Sequence, residues 1–321
     1  MQRVASLQAV SYSERSRSGT VAFLVMVALL LVAPTVIYPL FLMKVLCFAL
    51  FACAFNLLIG YVGLLSFGHA LYFGWASYVS AYTAKAWGFT PELAILSGAA
   101  TAAAFGLVAG ALAIRRQGIY FAMITLALAQ MMYFFAVQAP FTGGEDGIQA
   151  VPRGHLFGLI SLADPMAMYT VVVVVFLACF LVIYRIIHSP FGEVLKAIRE
   201  NEARAISLGY KTDRYKLVAF VLSATLAGVA GGMKAIVFQL ASLTDVYWAM
   251  SGEVVLMTLV GGLGTVFGPV VGAFVIIAMQ NYLAAFGQWV MVIQGSIFVA
   301  CVMLFRRGVI GEIANLFGIK L

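Results

Sequence analysis

The chain alternates long apolar runs with short polar breaks. Ten runs approach or exceed the roughly 20 residues needed to cross a bilayer core: residues 21–38, 41–59, a third that begins at 60 and ends near 87, 93–114, 119–137, 166–187, 217–238, 246–263, 270–286 and 289–305. The pattern predicts an all-α polytopic membrane protein of about ten transmembrane helices. Two glycine-dense stretches carry the expectation of broken or re-entrant segments. GYVGLLSFGHALYFGWASY, residues 60–78, reads as an aromatic-rich helix punctuated by Gly60, Gly63, Gly68 and Gly74, and GGLGTVFGPVVG, residues 261–272, reads as a turn or re-entrant piece. One cluster falls in each half, which hints at an internal duplication.

Small residues mark the seams. The fourth run contains GAATAAAFGLVAGALA with Gly106 and Gly110 four apart, and the seventh contains SATLAGVAGG with Ser223, Ala227, Gly228 and Gly232. Such faces suit helix–helix packing rather than lipid, because they let backbones approach closely.

The polar breaks differ in kind. Residues 138–165 are rich in Gly, Pro and Asp around TGGEDG (142–147); with no ladder of calcium ligands there, a structured external loop is expected. The break from Ser189 to Lys216 holds six of the nineteen basic residues and four of the twelve acids. It reads as one short helix with defined ends: Ser189 to cap, Pro190 in the first turn, Gly209 to stop it. Phe191, Val194, Leu195, Ile198, Ala205 and Leu208 form an apolar stripe, interrupted at Asn201 and Glu202, and Thr212 or Asp213 caps the next run. A solvated connector is the plain reading. A docking helix for a soluble partner is the sharper one, since a connector needs neither caps nor an apolar face.

Charge then orients the runs. With ten crossings and both termini inside, fifteen of the nineteen basic residues fall on the cytoplasmic side: Arg3, Arg15, Arg17, Arg115, Arg116, Arg185, Arg306, Arg307, Lys320 and the six of the 189–216 loop. This gives a flexible cytoplasmic tail at 1–19, a membrane domain at 20–307 and a second tail at 308–321. A hydrophobic content of 64% and a mean hydropathy of +1.05 exceed what a packed globule could hide, so the bilayer is the first partner. The net charge of +7 is this topology signal and not a nucleic-acid footprint. The run at 20–38 spans and is not read as a cleaved signal. Cys47, Cys53, Cys179 and Cys301 lie in apolar runs without ligand spacing.

Several chemistries are unsupported. No Gly-Lys pair occurs, so the phosphate cradle of a nucleotide hydrolase is missing, and His69, His155 and His188 sit on separate segments, against a zinc or Ser-His-Asp site. No catalytic, cofactor or metal residues are assigned, and the chain is expected not to be an enzyme. Asn56, His69, Gln130, Lys234 and Glu253 are polar groups in or near apolar spans, each needing a partner or a wet cavity. Asn56, His69, Gln130 and Glu253 are therefore candidates for pathway or packing roles. His69 reads as a helix-packing donor, and Lys234 and Glu253 lie close enough to the outer ends of their spans to reach the interface.

Four motifs in order carry a resemblance: the 60–78 stretch; TGGEDG; the run Arg199, Glu200, Asn201, Glu202, Ala205, Gly209, Lys216, Ala219, Phe220, Ser223, Ala224; and GGLGTVFGPVVGA. Together, over roughly residues 20–307, they resemble the branched-chain amino-acid ABC transporter permeases of the LivM type. The resemblance implies a permease in the bacterial inner membrane, with two cytoplasmic ATPase subunits that use ATP and Mg, a second permease subunit in a homo- or heterodimer, and an external substrate-binding protein. It makes residues 199–209 the coupling helix, with Arg199, Glu200, Asn201, Glu202, Ala205 and Gly209 at the ATPase interface. Arg204 departs from the general Glu-Ala-Ala loop pattern, and Gly209 stands one position late. Relatives carrying urea, short amides or aromatic acids leave the substrate open. An ATP-independent secondary transporter would call for more intramembrane carboxylates than Glu253, and a membrane-bound transferase using His69 or His188 finds no second catalytic group.

Overall fold

A computed structural model describes residues 19–158, 160–284, 287, 289–304, 308 and 311. Arg3, Arg15, Arg17, Arg306, Arg307 and Lys320 lie outside these. The described chain is mostly helical. In order, the elements are α1 (Gly19–Thr35), α2 (Pro39–Asn56), α3 (His69–Ala86), α4 (Pro91–Ala113), α5 (Ile119–Gln138), α6 (Pro165–Ile187), α7 (Pro190–Glu200), α8 (Glu202–Ser207), α9 (Thr212–Phe238), α10 (Leu243–Val246), α11 (Trp248–Gly261), α12 (Gly268–Leu283) and α13 (Trp289–Leu304). Five are long and apolar enough to cross a membrane: α2 with its extension to Val62, α4, α5, α6 and α9.

Prolines set many of the starts. Pro39, Pro91, Pro165 and Pro190 occupy first turns, where the missing N–H costs nothing. Asp164 accepts from the Ala167 N–H at 3.1 Å and Ser189 from the Gly192 N–H at 3.3 Å, closing the α6 and α7 caps.

α2 is the axis of the bundle. Of its most apolar window 94% is buried inside the protein, against 22% for α5, so the other helices pack around α2 while α5 turns most of its surface outward. α3, α4 and α9 pack tightly together on one side of it, and the α11–α12 hairpin and α6 cover others. At Gly231 a Cβ would stand 1.9 Å from the Phe73 carbonyl oxygen, so α9 and α3 touch backbone to backbone.

Four expectations need correction. Residues 60–78 are not one helix: α2 runs on through a π turn, Leu57–Val62, the chain then leaves helix at Gly63 (φ +82), and α3 begins only at His69. The 189–216 loop holds two helices and not one, because Asn201 is extended (φ −158, ψ 96) and caps a new start by accepting from the Arg204 N–H at 3.0 Å. Thr212 and Asp213 lie inside α9, and the cap position is Lys211, whose side chain makes no capping bond. The run 246–263 is broken at Tyr247, which separates α10 from α11.

The 138–165 loop is structured, with two short ladders. β1 (Ile148–Gln149) pairs antiparallel with β4 (Leu240–Ala241), tying this loop to the chain leaving α9, and β2 (His155–Leu156) pairs with β3 (Ile160–Ser161).

Candidate functional site

The charged loop is held against the bundle by its buried face. Leu195, Ile198 and Ala205 are sealed, Phe191 stacks on Tyr215 of α9 at 5.7 Å, and Gly192 lets α7 turn under α6, where a Cβ would meet the Ile187 carbonyl at 2.2 Å. Glu202 is bound on both sides: its Oε1 pairs with Lys216 of α9, and its Oε2 accepts from Gln117 Nε2 at 2.8 Å. The Lys216 ammonium is buried, so this contact fixes α8 to α9.

The chain beyond Ala205 is open among the described residues: Ile206 and Leu208 are 56% and 69% exposed, Tyr210 is 40% exposed with its ring against Tyr215 at 6.0 Å, and Glu200, Asn201 and Gly209 are exposed. Leu208 thus leaves the buried stripe in which its spacing placed it. Gly209 adopts φ +91 and ends α8.

Arg199 turns inward. Its Nη1 donates to the Gly60 carbonyl at the π turn, and its stem fills the space at Gly63, where a Cβ would fall 2.9 Å from Arg199 Cγ. Gly264 meets Gly60 at the same point: a Cβ on Gly60 would lie 2.8 Å from the Gly264 nitrogen. Asn56 closes the junction, donating to the Thr265 carbonyl at 2.8 Å and accepting from the Gly264 N–H at 3.1 Å. The two glycine clusters therefore meet, and α7 reaches both through one guanidinium. Spacing alone could not show that Arg199 faces the bundle, because a residue at the end of α7 faces inward or outward according to where Asn201 breaks the helix.

The polar residues within the bundle separate into groups. Ser223 donates to the Ala54 carbonyl at 2.5 Å, so its oxygen accepts from His69 Nε2 at 2.9 Å; His69 is a fully buried packing donor. Lys234 does not reach an interface: it is buried and pairs with Asp245 at 2.5 Å, whose carboxylate also accepts from the Ser242 N–H and hydroxyl. Glu253 is half-buried on α11. Gln130 is half-buried on α5 and makes none of these contacts. Gly106 and Gly228 face Ala224 and Ala102, with Cβ positions 2.6 and 2.4 Å from the alanine methyls, while Gly110 packs on Leu217 and Gly232 on Ser80. All four line the α4–α9 seam and its neighbour α3. Among the described residues no cluster of His, Cys, Asp and Glu could hold a metal ion.

Residues 38–303 match the family described as the branched-chain amino acid transport system permease component. The chain belongs to this family. It is 26% identical over 278 residues to the high-affinity branched-chain amino acid transport system permease protein LivM of Escherichia coli, covering 79% of the chain and 65% of the relative, and 26% identical over 283 residues to LivM of Salmonella typhimurium, with the same coverage. It thus spans about two-thirds of the length of these curated relatives. The ribose import permease protein RbsC of Bacillus subtilis is 26% identical over 197 residues, 56% of the chain and 58% of that protein. No solved structure matches the chain.

Proposed function

We propose that the chain is the permease subunit of an ATP-binding-cassette importer that moves branched-chain amino acids (Leu, Ile, Val) across the bacterial inner membrane. Ten spans place both termini and the 189–216 loop in the cytoplasm, and residues 138–165 outside. The chain pairs with a second permease subunit, receives solute from an external binding protein and docks two ATPase subunits that bind ATP and Mg; it binds no nucleotide itself.

The observation that carries the coupling role is the pairing, in one loop, of exposed apolar side chains with polar side chains bonded to the bundle. Ile206 and Leu208 stand open in a charged segment, as a surface that another protein covers would. Behind them Glu202 and Arg199 connect the same loop to α9 and to the end of α2. Closure of the ATPase pair on ATP shifts the docked helices, Arg199 carries the displacement to the π turn, and the bundle exchanges inward for outward access. Only a docking surface that differs between those two states drives the exchange. Exposed Glu200 and Asn201 are the direct ATPase contacts, and Glu202 acts by holding α8 in place.

The match to a ribose permease favours a second reading within the family, in which the solute is a neutral molecule such as urea, an amide or a sugar, or an aromatic acid. Uptake of radiolabelled leucine, urea and ribose, in cells with and without the chain and before and after ATP depletion, tests both readings. ATP-dependent leucine uptake lost with the chain supports the first. Loss of urea or ribose uptake alone changes the solute, and uptake that survives ATP depletion overturns the importer.

A further inference from the structure

The antiparallel register of α4 and α9 gathers four basic residues at one end of the bundle. A Cβ on Gly106 would stand 3.6 Å from Val221 Cα, and one on Gly110 2.8 Å from Leu217 Cδ1, so α4 runs down as α9 runs up. Continued past Gly110, that register sets the turn after α4 opposite the first turn of α9. Two side-chain contacts fix the same juxtaposition. Gln117 Nε2 donates to Glu202 Oε2 at 2.8 Å, and the other oxygen of Glu202 pairs with Lys216 of α9. Arg115 and Arg116 directly precede Gln117. Lys211 and Arg214 stand at the start of α9, three residues apart and so on one face. All four are exposed.

Like charges held together repel, and the acids at hand do not neutralise these. Glu202 is taken by Lys216 and Gln117. Asp213 forms no ion pair among the described residues, where the pairs are Lys196–Glu193, Lys216–Glu202 and Lys234–Asp245. The Lys211 side chain makes no capping bond. α9 begins at the same place, which adds the positive end of its dipole. Beside the cluster the surface turns apolar: Leu112, one turn before Arg116, and Val218, one turn after Arg214, are both exposed. A soluble anion matches the charges but not this strip. A phospholipid matches both.

We infer that this end of the α4–α9 seam binds an anionic phospholipid. The headgroup phosphate accepts from the Arg115, Arg116 and Arg214 guanidinium groups and the Lys211 ammonium, and an acyl chain lies along Leu112 and Val218. Because Gln117 follows Arg116 and holds Glu202, lipid bound here steadies α8 from the membrane side. This inference goes beyond the import reading and does not depend on the solute.

The test uses the full chain with its partner subunits in nanodiscs of phosphatidylglycerol and phosphatidylcholine with identical acyl chains. Native mass spectrometry should find phosphatidylglycerol retained in preference to phosphatidylcholine, and phosphatidylglycerol with a diazirine beside the headgroup should cross-link to residues 107–116 and 211–218. Each basic residue near an anionic headgroup is worth about fivefold in binding. R115Q with R116Q, and K211Q with R214Q, should therefore each lower that retention on the order of tenfold or more. R185Q, which removes an exposed arginine on α6 outside the cluster, should leave it unchanged. Equal retention of the two lipids overturns the site, and so does a loss in R185Q as large as in the double variants. Complete displacement of the lipid by inorganic phosphate would make this a free-anion site and overturn the lipid. Loss of the ATPase subunit from the double variants with lipid retention unchanged would make the patch a protein contact and overturn it as well. Should a double variant fail to assemble, the wild-type cross-link decides: label spread evenly over α5 and α6 overturns the site.

Discussion

Replacing Glu202 with Gln should detach α8 from α9. The Lys216 side chain is 3% exposed and that of Glu202 21%, so removing the carboxylate strands an ammonium in a nearly sealed site. Breaking a buried pair by deleting one partner costs about 3–5 kcal/mol. Glu202 is a fifth exposed, and water recovers part of that, which lowers the figure to about 2–3 kcal/mol. α8 has only six residues, held otherwise by the Asn201 cap and the buried Ala205 methyl, each contributing about 1 kcal/mol. The loss is therefore comparable to everything else that holds the helix. Amide hydrogen exchange over residues 202–210 should accelerate roughly 30- to 150-fold, the factor that corresponds to that free energy. Lys216→Met should cost less, because Glu202 can turn to water, and Glu202→Gln combined with Lys216→Met should restore most of the protection. Unchanged exchange in Glu202→Gln would refute the anchor. Glu202→Lys, which sets two ammonium groups together, should abolish uptake while the protein still inserts in the membrane.

Other positions separate structure from transport. Asp245→Ala, which leaves Lys234 buried without its partner, should destabilise the detergent-solubilised protein by about 3–5 kcal/mol, whereas Lys234→Met with Asp245→Leu should unfold thermally close to the wild type; equal losses in both would deny the pairing. Gly231→Ala places a methyl 1.9 Å from a backbone oxygen and should cost about 1–3 kcal/mol or more. Gly209→Ala, with no atom within 4 Å of the new methyl but φ at +91, should cost only about 1 kcal/mol and confine its effect to the loop. Asn56→Leu leaves the Gly264 N–H and the Thr265 carbonyl without their side-chain partner, a penalty of about 1–3 kcal/mol that thermal unfolding should register.

Much of this architecture was legible in the residues. Hydropathy located the long helices to within a few positions, since crossing a bilayer leaves little freedom in length, and the small residues of α4 and α9 marked their seam. Local breaks were harder. The continuation of α2 to Val62 and the delay of α3 to His69 turn on a left-handed Gly63 and a π turn that hydropathy does not encode. Asn201 was visible as an interruption but not as a cap, because only its extended backbone decides that two helices form. Long-range pairings were the least accessible: Lys234 with Asp245 crosses a turn, Arg199 with Gly60 joins positions 139 residues apart, and neither follows a repeat or a motif.

A cysteine placed at Leu208 tests the central claim most directly. In the assembled transporter it should cross-link to the ATPase subunit, with a yield that differs between nucleotide-free and ATP-bound states, and the link should block leucine uptake until it is reduced. A cysteine there that links to no ATPase subunit in either state, in vesicles that still import leucine, would contradict the account.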